Sequence, residues 1–82
     1  MPIAGTSVIK RRLLNQVRIL RFLSGEMTQT ELGNRVGLTR QTIAAIEAHK
    51  YSPTLECAMM ISEVFGKPLE EVFYWEARSE KG

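Results

Sequence analysis

The sequence predicts an all-α domain of five short helices, with a two-stranded ribbon from the chain ends as an optional addition, and three observations carry that prediction. At 82 residues the chain has room for one small core and no more. Between Thr28 and Lys50, in TQTELGNRVGLTRQTIAAIEAHK, two helical patterns stand so close that only Gly37 and Leu38 separate them. Residues that start helices (Thr, Asn, Pro) and end them (Gly) recur along the rest of the chain, marking out short helices with tight connections.

In chain order, residues 1–12 read as a flexible basic arm, short, small and without a helix start. Its Lys10, Arg11 and Arg12 could lie on a phosphate backbone or in a minor groove, or simply be solvated. The domain proper is expected over residues 13–76. Asn15 can cap a first helix to about Leu23, with Val17, Leu20 and Leu23 on one apolar stripe and Arg18 and Arg21 off it; Ser24-Gly25-Glu26 closes it. Met27 is placed as a hydrophobic staple, and Thr28 with Glu31 spells a capping box whose loss should cost about 1 kcal/mol.

The second helix then runs to Val36 with Leu32 and Val36 inward, and Gly37 can end it in the left-handed conformation. Thr39 caps a third, to about Ala48, with Ile43 and Ile46 inward. Two helices joined this tightly are a helix-turn-helix. Pro53 disfavours helix at Ser52, so Thr54 starts a fourth helix from Leu55 to Phe65, with Leu55, Ala58, Ile61, Ser62 and Phe65 inward and Gly66 at its end. Pro68 starts a short fifth through Leu69, Val72 and Phe73, with Glu70 and Glu71 in its first turn. Phe73-Tyr74-Trp75 is β-prone and could pair with Leu13-Leu14; residues 77–82 form a polar tail.

Composition excludes several classes. One cysteine allows no disulfide framework, no run is apolar enough to cross a membrane, and the N-terminus lacks the order of a signal peptide, so a soluble cytoplasmic protein is expected. One His, one Cys and no Asp leave no pair of groups for a catalytic or metal site, so neither an enzyme nor a cofactor or metal is expected. The total charge of +2 hides an asymmetry. Residues 1–52 carry eight Lys/Arg against three Glu, a balance of +5, and residues 53–82 carry three against six, a balance of −3. Such a basic front suits a protein that faces a polyanion.

With Ile43 and Ile46 inward, the third helix turns Arg40, Gln41, Ala44, Ala45 and Ala48 outward. Forked donors stand at its start and only methyl groups beyond. Arg can bond guanine O6 and N7, Gln can bond adenine N6 and N7, and an Ala methyl can touch the thymine methyl, all groups displayed in the major groove. Thr39 and Thr42 suit phosphate oxygens, and Gln29, at the exposed start of the second helix with no core duty, suits another.

The segment from TQTELGNRVG through TRQTIAAIE and YSPTLE to FGKPLEEVF resembles the small Cro/CI-type (XRE-family) helix-turn-helix repressors, over about residues 15–75. The resemblance implies a five-helix lambda-repressor-like DNA-binding domain that acts as a homodimer on operator DNA. Residue by residue it implies base contacts by Arg40, Gln41 and Ala45, to which the outward face of the third helix adds Ala44, and backbone contacts by Thr28, Gln29, Thr39, Thr42, Lys50, Tyr51 and Ser52. It also implies a structural ion pair between Arg21 and Glu47. Double-stranded DNA and a second copy of the chain are the expected partners, and no small-molecule ligand is expected. Val72, Phe73 and Trp75 are the expected dimer contacts, since so small a core need not absorb every aromatic. An antitoxin-like module that holds a partner protein through the same aromatic region is the alternative.

Three departures from the family pattern matter. Gly33 stands where Ala is usual, at a propensity cost of up to about 1 kcal/mol. His49 stands where Gly or Asn is common, which strains it if its φ is positive. Pro68 stands where a Ser cap is frequent and leaves that helix start to its fixed φ.

Overall fold

A computed structural model describes residues 11–77, which run β1 (Leu13–Asn15), α1 (Val17–Leu23), α2 (Gln29–Val36), α3 (Arg40–Glu47), α4 (Leu55–Phe65), α5 (Leu69–Val72) and β2 (Phe73–Trp75). The basic arm up to Lys10 and the polar tail from residue 78 lie outside the described residues. Five helices and a small antiparallel ribbon are the architecture the sequence predicts.

Threonine starts each of the three central helices. The Thr28, Thr39 and Thr54 hydroxyl oxygens accept the backbone N–H of Glu31, Thr42 and Cys57, and Thr28 completes its capping box by donating its own N–H to the Glu31 carboxylate at 2.8 Å. Helices this short do not stand alone in water, so these caps matter as much as propensity. The N-cap of α1 is Gln16, without a side-chain cap, rather than the expected Asn15; Asn15 still serves the helix start from inside the ribbon, its Oδ1 accepting the Val17 N–H at 3.1 Å while its Nδ2 donates to the Ile46 carbonyl at 2.9 Å. One side chain thereby ties β1, α1 and the end of α3 together. Pro68 opens α5 at φ −65° with no side-chain cap.

The helix ends use left-handed residues. Gly37 follows α2 at φ +77°, and its N–H and that of Leu38 both reach the Gly33 carbonyl. This hydrogen bonding draws the turn down onto Gly33, where an added Cβ would run into the Leu38 carbonyl oxygen. The absent side chain therefore lets α2 and α3 meet so closely, and the propensity lost at Gly33 is offset by that approach. After α3 the left-handed residue is His49, at φ +61°, with its N–H on Ile46 and that of Lys50 on Ala45 at 2.9 Å. Glu26 is also left-handed, at φ +57°, which no local signal announces.

The ribbon pairs Leu13 with Trp75, Leu14 with Tyr74 and Asn15 with Phe73. It reaches one residue farther, where the Glu76 N–H meets the Arg12 carbonyl at 2.8 Å, and the Arg11 guanidinium lies 4.6 Å above the Trp75 ring. Arg11 and Arg12 thus both make contact with β2 and its continuation. Below the ribbon the core gathers Val17, Leu20, Met27, Leu32, Val36, Ile43, Ile46, Ala58, Ile61, Val72 and Phe73.

Four expected positions differ. Leu23 is 70% exposed, because it lies about 120° around the helix from Val17. Arg21, about 40° from Val17, takes the inward-leaning place instead and is half-buried. Leu55 is 66% exposed: it has the right angular position on α4, but it stands in the first turn and lines an open groove with Leu13, Leu69 and Trp75. Phe73 leaves α5 at φ −122° to begin β2, where pairing with Asn15 replaces a further helical turn.

Because His49 is exposed and left-handed, His49→Gly should stabilise the domain by about 0.5–1 kcal/mol, the relief of a left-handed Cβ less the extra freedom of glycine in the unfolded chain. A thermal melt should show a rise of a few degrees.

Candidate nucleic-acid interface

The first turn of α3 sets two long polar side chains at the surface. Arg40 and Gln41 are both exposed, Ala44 and Ala45 behind them are half-buried, and Ala48 is exposed at the helix end. The face is thus polar at its start and close to bare backbone beyond, so nothing bulky keeps α3 from a concave surface. Thr39 and Thr42 flank it, their hydroxyls 3.0 Å apart and sharing one hydrogen bond. The hydrogen on one of the two is left to donate outward. Thr28, at the start of α2, likewise accepts a cap bond and keeps its O–H hydrogen. Lys50, Tyr51 and Ser52 form an exposed turn after α3.

Behind this face lies a half-buried polar cluster. Arg21 donates from Nε to Glu47 Oε2 at 2.6 Å and from Nη2 to Glu47 Oε1 at 3.0 Å, and its Nη1 donates to the Met27 carbonyl at 2.7 Å. The Arg21 side chain is 15% exposed and that of Glu47 6%. Charges so enclosed must be matched, and a forked guanidinium matches a carboxylate well. The cluster continues outward: Gln29 donates from Nε2 to Glu47 Oε1 at 3.0 Å and accepts from Arg40 Nη1 at 3.2 Å.

Two of the expected roles need correction. Gln29 is half-buried and bonded on both sides of its amide, so it does have a duty inside the fold. Its partners are 11 and 18 residues away in sequence, a distance at which no local pattern could have marked them. Val72 is fully buried within its own protomer and has no surface to offer a second copy, whereas Phe73, 8% exposed, keeps an edge beside Trp75. Trp75 keeps 51% of its surface and borders an open apolar groove with Leu13, Leu55 and Leu69. The role of Asn15 in joining the ribbon to α3 was also beyond the sequence, since only its capping oxygen leaves a local trace.

Among the described residues no three His, Cys or Glu side chains come together as a metal site, and no helix is long and apolar enough to cross a membrane. Cys57 is a half-buried free thiol.

The Helix-turn-helix family model matches residues 18–72, from the first turn of α1 to the end of α5. An uncharacterised HTH-type transcriptional regulator of Methanocaldococcus jannaschii is 40% identical over 62 residues, which are 76% of this chain and 92% of that protein. A Bacillus subtilis protein of the same description is 45% identical over 62 residues, with the same shares of both chains. One from Archaeoglobus fulgidus is 44% identical over 50 residues, 61% of this chain and 70% of its own.

Removing one partner of the enclosed ion pair leaves the other charge unmatched, so Arg21→Met should cost about 3 kcal/mol in a denaturant titration. Adding Glu47→Leu to that variant should recover much of the loss, and a double variant no more stable than the single one would contradict this account.

Proposed function

Since the chain belongs to the XRE-type helix-turn-helix family of transcriptional regulators, we propose that it is a sequence-specific repressor that occupies an operator as a homodimer. The observation that carries this reading is the exposed pair Arg40-Gln41 at the start of α3, followed by nothing larger than alanine on the same face. In this reading α3 enters the major groove. Arg40 bonds guanine O6 and N7, Gln41 bonds adenine N6 and N7, and Ala44 and Ala45 lie against thymine methyls.

Phosphates are held from several sides. Thr28 supplies one O–H donor and the bonded pair Thr39 and Thr42 a second, Gln29 retains one amide hydrogen beyond the one given to Glu47, and the Lys50-Tyr51-Ser52 turn adds a charge and two hydroxyls. Two protomers would read half-sites about 34 Å apart, one helical turn of DNA. Repression follows from occupancy: a protein seated across the operator denies the site to anything else that must bind there.

The exposed flank around Trp75, with Leu55 and Met59 on the adjoining face of α4, favours contact between two copies. The same apolar flank is what supports the second reading, in which it holds a different protein; a stoichiometric companion in purification would select that reading.

Arg40→Ala should lower affinity for an operator selected from random DNA by about 1–3 kcal/mol, concentrated at one base pair, whereas Lys50→Ala should weaken selected and scrambled DNA alike. Equal affinity of the wild-type chain for both DNAs in a fluorescence anisotropy titration would refute sequence specificity. Sedimentation should show a dimer at micromolar concentration that Trp75→Ala shifts towards monomer, and monomer alone in the wild type would end the dimer proposal.

A further inference from the structure

Gln29 stands between two groups of opposite hydrogen-bonding character. The Glu47 carboxylate can only accept, and it takes the Gln29 Nε2 hydrogen at 3.0 Å. The Arg40 guanidinium can only donate, and it gives its Nη1 hydrogen to Gln29 Oε1 at 3.2 Å. One orientation of the amide satisfies both neighbours and the reverse satisfies neither. Glu47 is in turn clamped by two bonds from Arg21, whose third bond goes to the Met27 carbonyl. A direction is therefore passed from an enclosed ion pair, through one amide, to an exposed arginine.

Resting on the reading of Arg40 as a base-contacting side chain, we propose that Glu47 and Gln29 are positioning residues for base recognition. Glu47 sets the polarity of the Gln29 amide, and the amide oxygen holds Arg40 by Nη1. Among the described residues the Nε and Nη2 atoms of Arg40 make no hydrogen bond, so a two-donor edge is left for guanine O6 and N7. An exposed arginine otherwise loses much rotamer freedom on binding, and one already held loses less. The relay therefore acts on discrimination at one base pair, while general attraction to DNA depends on charge. It also makes residue 29 a selector of what can stand at residue 40: a donor fits and an acceptor does not.

The test uses the full chain and substitutions that split the two halves of the amide. Gln29→Lys keeps a donor for Glu47 and removes the acceptor for Arg40; Gln29→Glu keeps an acceptor for Arg40 and sets a carboxylate against Glu47. Each variant is compared for its denaturant midpoint without DNA. Each is then titrated with the operator selected by the wild-type chain, with that operator changed at each base pair in turn, and with scrambled DNA.

Gln29→Lys should keep its midpoint, and its added positive charge should strengthen its binding to selected and scrambled DNA alike. It should lose about three- to tenfold of its discrimination at the base pair where Arg40→Ala loses its own, the worth of one hydrogen bond at an exposed site. Gln29→Glu should keep that discrimination and unfold at lower denaturant. Glu47→Gln, whose amide can donate as well as accept, should show a smaller loss at the same base pair, and no loss there would remove Glu47 from the relay.

Full discrimination in Gln29→Lys would overturn the proposal while leaving the reading of Arg40 intact. If Arg40→Ala changes no single base pair, that reading falls and the relay with it. Should Gln29→Lys fail to fold, a double-mutant cycle between Gln29→Ala and Arg40→Ala decides: coupling of about threefold at that base pair supports the relay, and additivity overturns it.

Discussion

The fold turns on the ion pair between Arg21 and Glu47. Its two side chains come from elements 26 residues apart, and a third contact carries the arginine to the Met27 carbonyl in the approach to α2. The end of α1, the entry to α2 and the last turn of α3 are thereby fastened at one point. An apolar contact could fill the same space but would tolerate sliding. A fork set on a carboxylate does not, because displacement by an ångström leaves an enclosed charge unpaired. The angle at which α3 is held against the rest of the domain is consequently set by directional bonds as well as by packing.

Around that point the chain relies on well-finished ends. Among the described residues no helix exceeds 11 residues, and α5 has only four, too short to persist without neighbours. Three threonine caps, a capping box and left-handed residues after α2, α3 and α4 satisfy backbone groups that water would otherwise have to reach. With backbone groups satisfied so locally, a core of eleven residues suffices to join the pieces. Gly33 belongs to the same economy, since it weakens α2 slightly and permits the short turn on which the geometry of α3 depends.

Much of this could be read from residues in order. Caps and terminators act over three or four positions, so Thr28, Thr39, Thr54, Gly37 and Gly66 marked their helix ends directly. Periodicity identified Ile43 and Ile46 as inward, and with them the outward face of α3. It was less informative where coverage depends on a distant element, as at Leu23, Leu55 and the aromatic end of the chain. Phe73 carries the signature of an exposed aromatic and of a helix end, yet pairing with Asn15 makes it a buried strand residue. The bonds of Gln29 lie wholly in tertiary structure, and the pairing of Arg21 with Glu47 followed from likeness to a family rather than from spacing.

The ribbon has one more consequence. Leu13 meets Trp75 across nearly the whole described chain, so this pairing closes a very long loop. Contacts of such separation carry the greatest entropic cost and are favoured only once the segments between them are compact. The strand that completes the sheet is also the last of the described elements to be synthesised. The four longer helices all precede, in chain order, the three residues whose pairing closes the domain.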